Sequence, residues 1–250
     1  MVSEKSSLRL NNVYIESLFS GKDFHYCSGP ACQLSYGDSC DGNISPQGTP
    51  TNDIARPHLG NVSYGGAGLY YCTNKSHVAL TFDDGPYIYT EHVLDVLDQY
   101  NAKATFFITG NNMGKGQIDN ISTGYPQLIK RMHASGHQIA SHTWTHQNLT
   151  ALTVAQRQNQ IYYNEMAFRN ILGFFPTYMR PPYSECDNDT QAMLNDMGYH
   201  IVYYNIDSNG KLNPDSVIAF PFCLLQAKSS HDVPPSLSNI SQITTTTARL

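Results

Sequence analysis

The 250-residue sequence has little charge and no excess of positive charge. Aspartate, glutamate, lysine and arginine together make up 14% of the residues, and the formal net charge is −5. Nucleic-acid-binding proteins usually carry clustered basic residues, so the composition argues against a nucleic-acid partner. With 40% hydrophobic residues, the chain is long enough to build the core of one sizeable domain.

Long apolar segments and a recognisable leader are also lacking. No stretch approaches the roughly 20 apolar residues of a transmembrane helix, so no membrane span is predicted. Residues 1–24 carry scattered charge without the apolar centre of a signal peptide. A secreted protein would therefore need a leader that is missing from this sequence, or a natural start elsewhere.

The cysteines do not form a C-x-x-C pair, which argues against a structural zinc site. Most of them lie in the first third of the chain, where they favour disulfides in a loop-rich segment, although the pairing stays open. Seven N-x-[ST] sequons favour a eukaryotic secretory route, the alternative being chance matches in a Ser/Thr-rich chain. The cysteines are Cys27, Cys32, Cys40, Cys72, Cys186 and Cys223, and the sequons begin at Asn43, Asn61, Asn74, Asn120, Asn148, Asn188 and Asn239.

Three regions follow one another along the chain. Residues 1–70 are predicted to be an irregular, Cys/Gly/Ser-rich extension, 71–235 a folded domain, and 236–250 a polar tail. Within the domain, hydrophobic patterns alternate between strands and helices, which predicts an α/β fold with parallel strands. The predicted strands are 77–82, 104–108, 138–141 and 200–206, and the predicted helices are 90–100 (capped by Thr90), 126–135, 150–172 and 189–197.

Two short segments carry most of the chemical signal. TFDDGP, at 81–86, places Asp83 and Asp84 where a buried strand should end, and HTWTH places His142 and His146 four residues apart. Two histidines and one carboxylate form the ligand set of a catalytic zinc site with a position open for water, and the second carboxylate is a candidate base. Each segment alone has a plainer interpretation: a turn, or two surface histidines on one helical face.

A third segment, RPPY at 180–183, follows in order. Together the three resemble the carbohydrate esterase family 4 polysaccharide deacetylases (the NodB-homology group), and most of all the fungal chitin deacetylases. The resemblance covers about 77–207. It implies a distorted (β/α) barrel, a monomer, a secreted or cell-wall location, and chitin or chitin oligosaccharides as substrate. It also implies Zn²⁺ as cofactor, although another divalent ion such as Co²⁺ could use the same ligands.

The resemblance assigns a metal half of the site. Asp84, His142 and His146 would be the metal ligands. Asp83 would be the general base that deprotonates the attacking water. Arg180 would hold Asp83 ionised and oriented through a charge-assisted hydrogen bond.

The resemblance also assigns a substrate half. The backbone N–H of Tyr183, on a backbone fixed by Pro182, would stabilise the oxyanion. Asp207 would contribute to the substrate side, and His231 would be the general acid for the leaving amine. The alternative for His231 is a solvated histidine in a loop, without a catalytic role.

The last third of the chain departs from the family pattern. Residues 209–211 stand where the family has an acidic and aromatic pair, and five residues separate the Leu224–Leu225 pair from His231 instead of one. Two accounts are open: an active enzyme with an unusual closing segment, or a barrel left incomplete by truncation or incorrect splicing, which would expose strand edges.

Three functions are therefore carried forward. The first is hydrolysis of N-acetyl groups of chitin, with chitosan and acetate as products. The second is O-deacetylation of acetylxylan, because the same site could cleave esters. The third is a catalytically weak, carbohydrate-binding protein on a deacetylase scaffold, which the irregular segment after Asp207 favours and the intact Asp83 opposes.

Overall fold

The structure is a computed structural model that describes residues 13–14, 20–21, 24–36, 38–74, 77–207 and 225–227. His231, residues 209–211 and the predicted tail lie outside these ranges. The strands are β1 (Val13–Tyr14), β2 (Ser20–Gly21), β3 (Leu80–Asp83), β4 (Ala104–Ile108), β5 (Gln138–Ser141), β6 (Tyr178–Met179), β7 (His200–Ile201), β8 (Ile206–Asp207) and β9 (Leu225–Ala227). The helices are α1 (Phe24–Cys27), α2 (Thr90–Gln99), α3 (Tyr125–Ala134), α4 (Val154–Leu172) and α5 (Asn188–Asp196).

Strands β3 to β9 form one sheet in which every pairing is parallel, in the order β7-β6-β5-β4-β3-β9-β8. Read around a circle, this is the order of the chain, with a break between β7 and β8. Within the described ranges, these two strands are not paired with each other. The predicted α/β class and distorted barrel are confirmed, and β1 and β2 form a separate antiparallel ribbon.

Parallel strands are covered on both faces, so they are mostly apolar along their length and their side chains build the core. All five residues of β4 are buried, and Phe106 stacks on Phe82 of β3 with ring centroids 5.2 Å apart. Helix α2 buries its apolar face, including Leu94 and Leu97, in the same cluster. This packing fixes the position of β3, whose last residue is Asp83.

One predicted helix start is four residues off, and one predicted helix cap was wrong. Helix α4 begins at Val154 instead of Thr150, because Thr153 and Gln156 form a reciprocal capping box. The preceding residues form a separate 3₁₀ turn, Leu149–Ala151. Thr90 is the first residue of α2 and not its cap, and its hydroxyl accepts the Tyr87 N–H at 2.7 Å.

The segment before β3 is short of regular structure but packs on the domain. Cys32 and Cys40 form a disulfide, Cys72 is also disulfide-bonded, and Cys186 is a free thiol. Leu69 bridges β7 through two backbone hydrogen bonds of 2.8 and 2.9 Å, which places this segment along that edge of the sheet. In the described part of the chain, no helix is both long and apolar enough to cross a lipid bilayer.

Candidate active site

The register of the sheet brings the three sequence segments to one edge. Asp83 pairs with Phe107, and Ser141 pairs with both Ile108 and Met179. The residues that follow these strands therefore emerge side by side at the carboxyl ends, where α/β barrels hold their chemistry.

The two adjacent aspartates separate at Asp84 itself. Asp83 is the buried last residue of β3, whereas Asp84 has a φ of 70°, in the left-handed region that non-glycine residues rarely adopt. The Asp84 N–H still donates to Phe107 O at 3.1 Å. The turn that separates the two carboxylates therefore begins at Asp84, before Gly85 and Pro86.

Three ligand atoms converge beside this turn. Asp84 Oδ1 lies 3.6 Å from His142 Nε2 and 3.4 Å from His146 Nε2, and the three atoms lie within 4.8 Å of one another. A tetrahedral zinc ion with bonds of ~2.0–2.2 Å separates its ligand atoms by about 3.3–3.6 Å. The set fits zinc in donor type, and the two distances from Asp84 match this spacing.

The histidine protonation states suit metal binding. His142 Nδ1 lies 2.7 Å from Arg180 O, and because a carbonyl only accepts, Nδ1 carries the proton and Nε2 is left with its lone pair. Burial lowers the pKa of His146 to about 4, with the neighbouring His142 acting in the same direction. His146 can therefore present a neutral nitrogen to a cation, and the Nδ1 contact of His142 leaves its Nε2 as the nitrogen that faces the same place.

The two histidines lie in a loop after β5 and not on a helix, so the alternative of one helical face was wrong. Thr143 and His146 both have positive φ, 70° and 57°. Side chains of α4 hold this loop: Gln160 Oε1 accepts the Thr145 N–H at 2.8 Å, and Asn164 Nδ2 donates to Ser141 Oγ at 2.9 Å. The spacing of four residues arises here from a tight loop.

Trp144 fixes the middle of the same loop. Its side chain is fully buried, and its indole N–H donates to Asp41 O at 2.9 Å and Ile44 O at 3.1 Å. A methyl group built on Gly110 would lie 1.9 Å from the Trp144 ring, so only glycine fits there. The histidine loop thus depends on both α4 and the N-terminal segment.

A buried ion pair between Arg180 and Asp83 lies beside the three ligand residues. Arg180 Nη1 donates to Asp83 Oδ1 at 2.6 Å, and Arg180 is 1% exposed. Its other donors reach Thr81 Oγ1 and the Val202 and Tyr203 carbonyls at 3.0–3.2 Å, and its guanidinium carbon lies 4.0 Å from the Phe107 ring centre. The contact expected from the sequence is present.

Asp83 has the electrostatic character of a base. Burial raises the pKa of its carboxyl group, whereas the Arg180 guanidinium opposes the rise. Asp83 Oδ2 lies 3.8 Å from His142 Nε2, which directs this oxygen towards the ligand triad. A carboxylate made more basic by burial, beside a cation site, is suited to take a proton from water.

Comparison with known proteins agrees with this geometry. The family described as "Polysaccharide deacetylase" matches residues 70–202, more than half of the chain. The chain belongs to the polysaccharide deacetylase family. The match ends before β8 and β9, and it includes every described segment that reaches the ligand triad.

Individual relatives are known for both sequence and structure. A chitin deacetylase of Colletotrichum lindemuthianum is 44% identical over 144 residues, which cover 57% of this chain and 56% of the relative. A chitin deacetylase of Pestalotiopsis sp is 41% identical over a segment that covers 62% of this chain and 50% of the relative. The chain thus spans about half the length of these curated relatives. The solved chitin deacetylase from the fungal pathogen Colletotrichum lindemuthianum aligns with a TM-score of 0.60 at 36% identity, over 67% of this chain and 80% of that one.

The third segment of this deacetylase domain lies next to the triad. Pro182–Ser184 forms a 3₁₀ turn in which Tyr183 has φ 59°, and the Tyr183 ring packs edge-on to His146 with centroids 4.7 Å apart. Among the hydrogen bonds of the described residues, none uses the Tyr183 N–H as donor. A positive φ at a tyrosine is the kind of strained conformation that clusters at functional sites.

Among the described residues that were predicted for the site, Asp207 is not part of this cluster. Asp207 ends β8, and its register partner Gln226 in turn pairs with Thr81 of β3. Asp207 therefore lies two strands away from β3 and is level with Thr81, two positions before Asp83. The acid role of His231 stays a prediction, because that residue lies outside the described ranges.

The sequence analysis missed the residues that hold the deacetylase site in place. Lys115 and Thr109 bind the backbone of Asp84, and Gln160 and Asn164 hold the histidine loop. The α4 pair had a signal: two amides four residues apart on the buried side of a helix that also carries Phe168. Lys115, in a polar loop between glycines, had none.

Proposed function

We propose that this chain is a metal-dependent hydrolase that removes N-acetyl groups from chitin, giving chitosan and acetate. The observation that carries the proposal is the separation of two adjacent aspartates at one edge of the sheet. Asp84 lies with His142 and His146 in a zinc-like set, while Asp83 lies with Arg180. A binding module would not need a buried carboxylate beside its metal.

Zinc is the proposed cofactor, with Co²⁺ as an alternative ion for the same donors. Asp84 Oδ1, His142 Nε2 and His146 Nε2 would hold it. When bound, the ion would polarise the acetyl carbonyl and lower the pKa of an attacking water towards ~7.

The chain's own residues would do the rest. Asp83 would take the proton of the water, and Arg180 would keep the resulting carboxyl group oriented. The Tyr183 N–H would donate to the carbonyl oxygen as it gains negative charge. Pro182 would limit the movement of this N–H. His231 would return a proton to the leaving amine, and Asp207 would support the substrate side.

The chitin assignment is supported by the relatives, which carry the name chitin deacetylase. We also propose the domain limits 71–235, preceded by the irregular extension 1–70, together with a monomeric state and a secreted or cell-wall location. The cysteines and sequons support such a location, and the Cys32–Cys40 disulfide supports an oxidising compartment.

Acetate release tests the proposal. Purified protein would be incubated with chitin oligosaccharides after removal of metal by a chelator, and again after zinc is added back, with acetylxylan and peptidoglycan as competing substrates. We expect zinc-dependent release, fastest from chitin oligosaccharides. Faster release from acetylxylan would replace the chitin assignment. Binding to insoluble chitin without any release by zinc-loaded protein would favour the carbohydrate-binding alternative.

A further inference from the structure

Lys115 is a buried lysine with every ammonium donor engaged. Only 8% of the residue is exposed, and it lies between Gly114 and Gly116, which both have positive φ. Its Nζ donates to Asp84 O at 2.8 Å, Gly85 O at 3.0 Å and Thr109 Oγ1 at 2.9 Å. Three acceptors match the three N–H donors of an ammonium group, so this contact is fully formed.

Thr109 adds a second link to the same carbonyl. Its hydroxyl accepts from Lys115 Nζ and donates to Asp84 O at 2.8 Å. The Asp84 N–H donates to Phe107 O on β4. Both polar groups of the Asp84 backbone are therefore bound to one stretch of chain, from Phe107 to Lys115.

This binding matters because Asp84 has an unfavourable backbone. A left-handed conformation is unfavourable for a non-glycine residue, and it persists where the surroundings over-determine it. In a regular strand, Asp83 and Asp84 would point to opposite faces. The φ of 70° at Asp84 accompanies the position of Oδ1 within 3.6 Å of both histidine nitrogens.

We propose that Lys115 is a positioning residue that holds the Asp84 backbone in the conformation in which its carboxylate meets His142 and His146. Lys115 acts through the carbonyls of Asp84 and Gly85, and Thr109 relays part of its effect. The hydrogen bonds of the ammonium go to this backbone and to Thr109, and not to the three ligand atoms. This inference rests on the metal site of the proposed function.

Zinc affinity is the test, measured by competition with a chromophoric chelator. Lys115→Met removes the ammonium and keeps a stem of similar shape, and the expected result is 10–100-fold weaker zinc binding, the usual effect of losing a group that orients a ligand. Lys130→Met makes the same chemical change at an exposed position of α3 and should bind zinc like the wild type. Equal affinities for the two folded variants would overturn the proposal.

A second pair of variants protects the test against a folding failure of Lys115→Met. Thr109→Ser keeps the hydroxyl and should keep the zinc affinity, whereas Thr109→Val removes it and should weaken binding. In the double variant with Lys115→Met, the two losses should be less than additive, because both act on one carbonyl. Equal zinc affinities for Thr109→Ser and Thr109→Val would also overturn the proposal.

The zinc measurement separates this inference from the proposed reaction. Wild-type protein that binds zinc but releases no acetate would contradict the reaction, and the role of Lys115 would still be decided by the variants. Wild-type protein that does not bind zinc would overturn the metal site and the role of Lys115 together. Circular dichroism of each metal-free variant would show that it is folded.

Discussion

In the part of the chain that the structure describes, two buried arginine–carboxylate pairs have opposite surroundings. Arg180 donates to Asp83 at the carboxyl ends of the strands, at 2.6 Å. Arg56, from the segment before β3, donates to Glu165 of α4 at 2.7 and 2.8 Å. Both carboxylates are nearly inaccessible, with side chains 5% and 1% exposed.

The difference lies in what the carboxylate oxygens face. Both oxygens of Glu165 accept from Arg56, and each also accepts a hydroxyl, from Thr51 at 2.5 Å or Tyr199 at 2.7 Å. Asp83 instead directs Oδ2 towards the ligand triad. In the Arg56–Glu165 pair, which we expect to hold the fold, both carboxylate oxygens accept from protein donors. In the Arg180–Asp83 pair, for which we propose a catalytic role, one oxygen is directed to the site.

The largest expected effect separates the two carboxylates by activity. Asp83→Asn should lower kcat for acetate release by ~10²–10⁴-fold, because it removes the base and keeps the shape. Glu165→Gln, the same chemical change in the other pair, should leave kcat per folded molecule unchanged. The substitution should instead lower the free energy of unfolding, because the glutamine NH₂ group cannot accept the hydrogen bonds that one oxygen of Glu165 accepts.

Steady-state kinetics and chemical denaturation of both variants would check this contrast. Folded Glu165→Gln that loses as much activity as Asp83→Asn would remove the distinction between the pairs.

The next effect concerns stability alone. Arg56→Met should lower the free energy of unfolding by about 3–5 kcal/mol, because it leaves the Glu165 carboxylate buried without its cation. The control is Arg131→Met, which breaks the surface contacts with Asp95 and Asp98 and should cost at most about 1 kcal/mol. Similar losses in urea denaturation of the two variants would mean that the Arg56 pair does not hold the N-terminal segment on α4.

A smaller effect should appear in the pH dependence of stability. His137 precedes β5 and its Nδ1 accepts the Ala104 N–H at 3.2 Å; burial, followed by Lys103, lowers the pKa of His137 to about 4 from an ordinary 6.5. The unfolded chain binds this proton more readily, so the contribution is complete above about pH 6.5 and is lost as the pH falls towards about 4.

Replacing His137 with asparagine tests this assignment, because the asparagine Oδ1 can accept the same N–H without titrating. The free energy of unfolding of His137→Asn should fall less between pH 6.5 and 4 than that of the wild type. Parallel curves for the two proteins would exclude His137 as the source.

The smallest effect is expected at Tyr183. If its backbone N–H is the functional group, Tyr183→Phe should change the free energy of activation by no more than about 0.5 kcal/mol, as for an ordinary surface substitution. The side chain is 53% exposed, so its hydroxyl is not needed for packing. A large fall in kcat for Tyr183→Phe would transfer the role from the backbone to the phenol.

The sequence predicted the part of the site in which the candidate ligand and base residues follow strands. Asp83, Asp84, His142, His146 and Arg180 were placed together because their three segments resemble those of one family. The aspartates and the histidines also follow predicted strands, and parallel strands share one carboxyl edge. The structure supports that placement. Their catalytic roles are proposals that the experiments above address.

What the sequence could not predict depends on contacts between distant residues. Arg56 meets Glu165 across 109 positions, and Lys115 meets Asp84 across 31. No local periodicity marks such partners, because their burial is decided by tertiary packing. The start of α4 was misplaced for a local reason: Thr150 and Thr153 are both plausible caps, and only Thr153 has Gln156 three residues on.

The central claim is that neighbouring aspartates have separate tasks, and zinc affinity measured beside acetate release tests it directly. Asp83→Asn should bind zinc nearly as well as the wild type and release almost no acetate from chitin oligosaccharides. Asp84→Asn should bind zinc far more weakly. Equal loss of zinc affinity in both variants, or acetate release by zinc-loaded Asp83→Asn at the wild-type rate, would contradict the account.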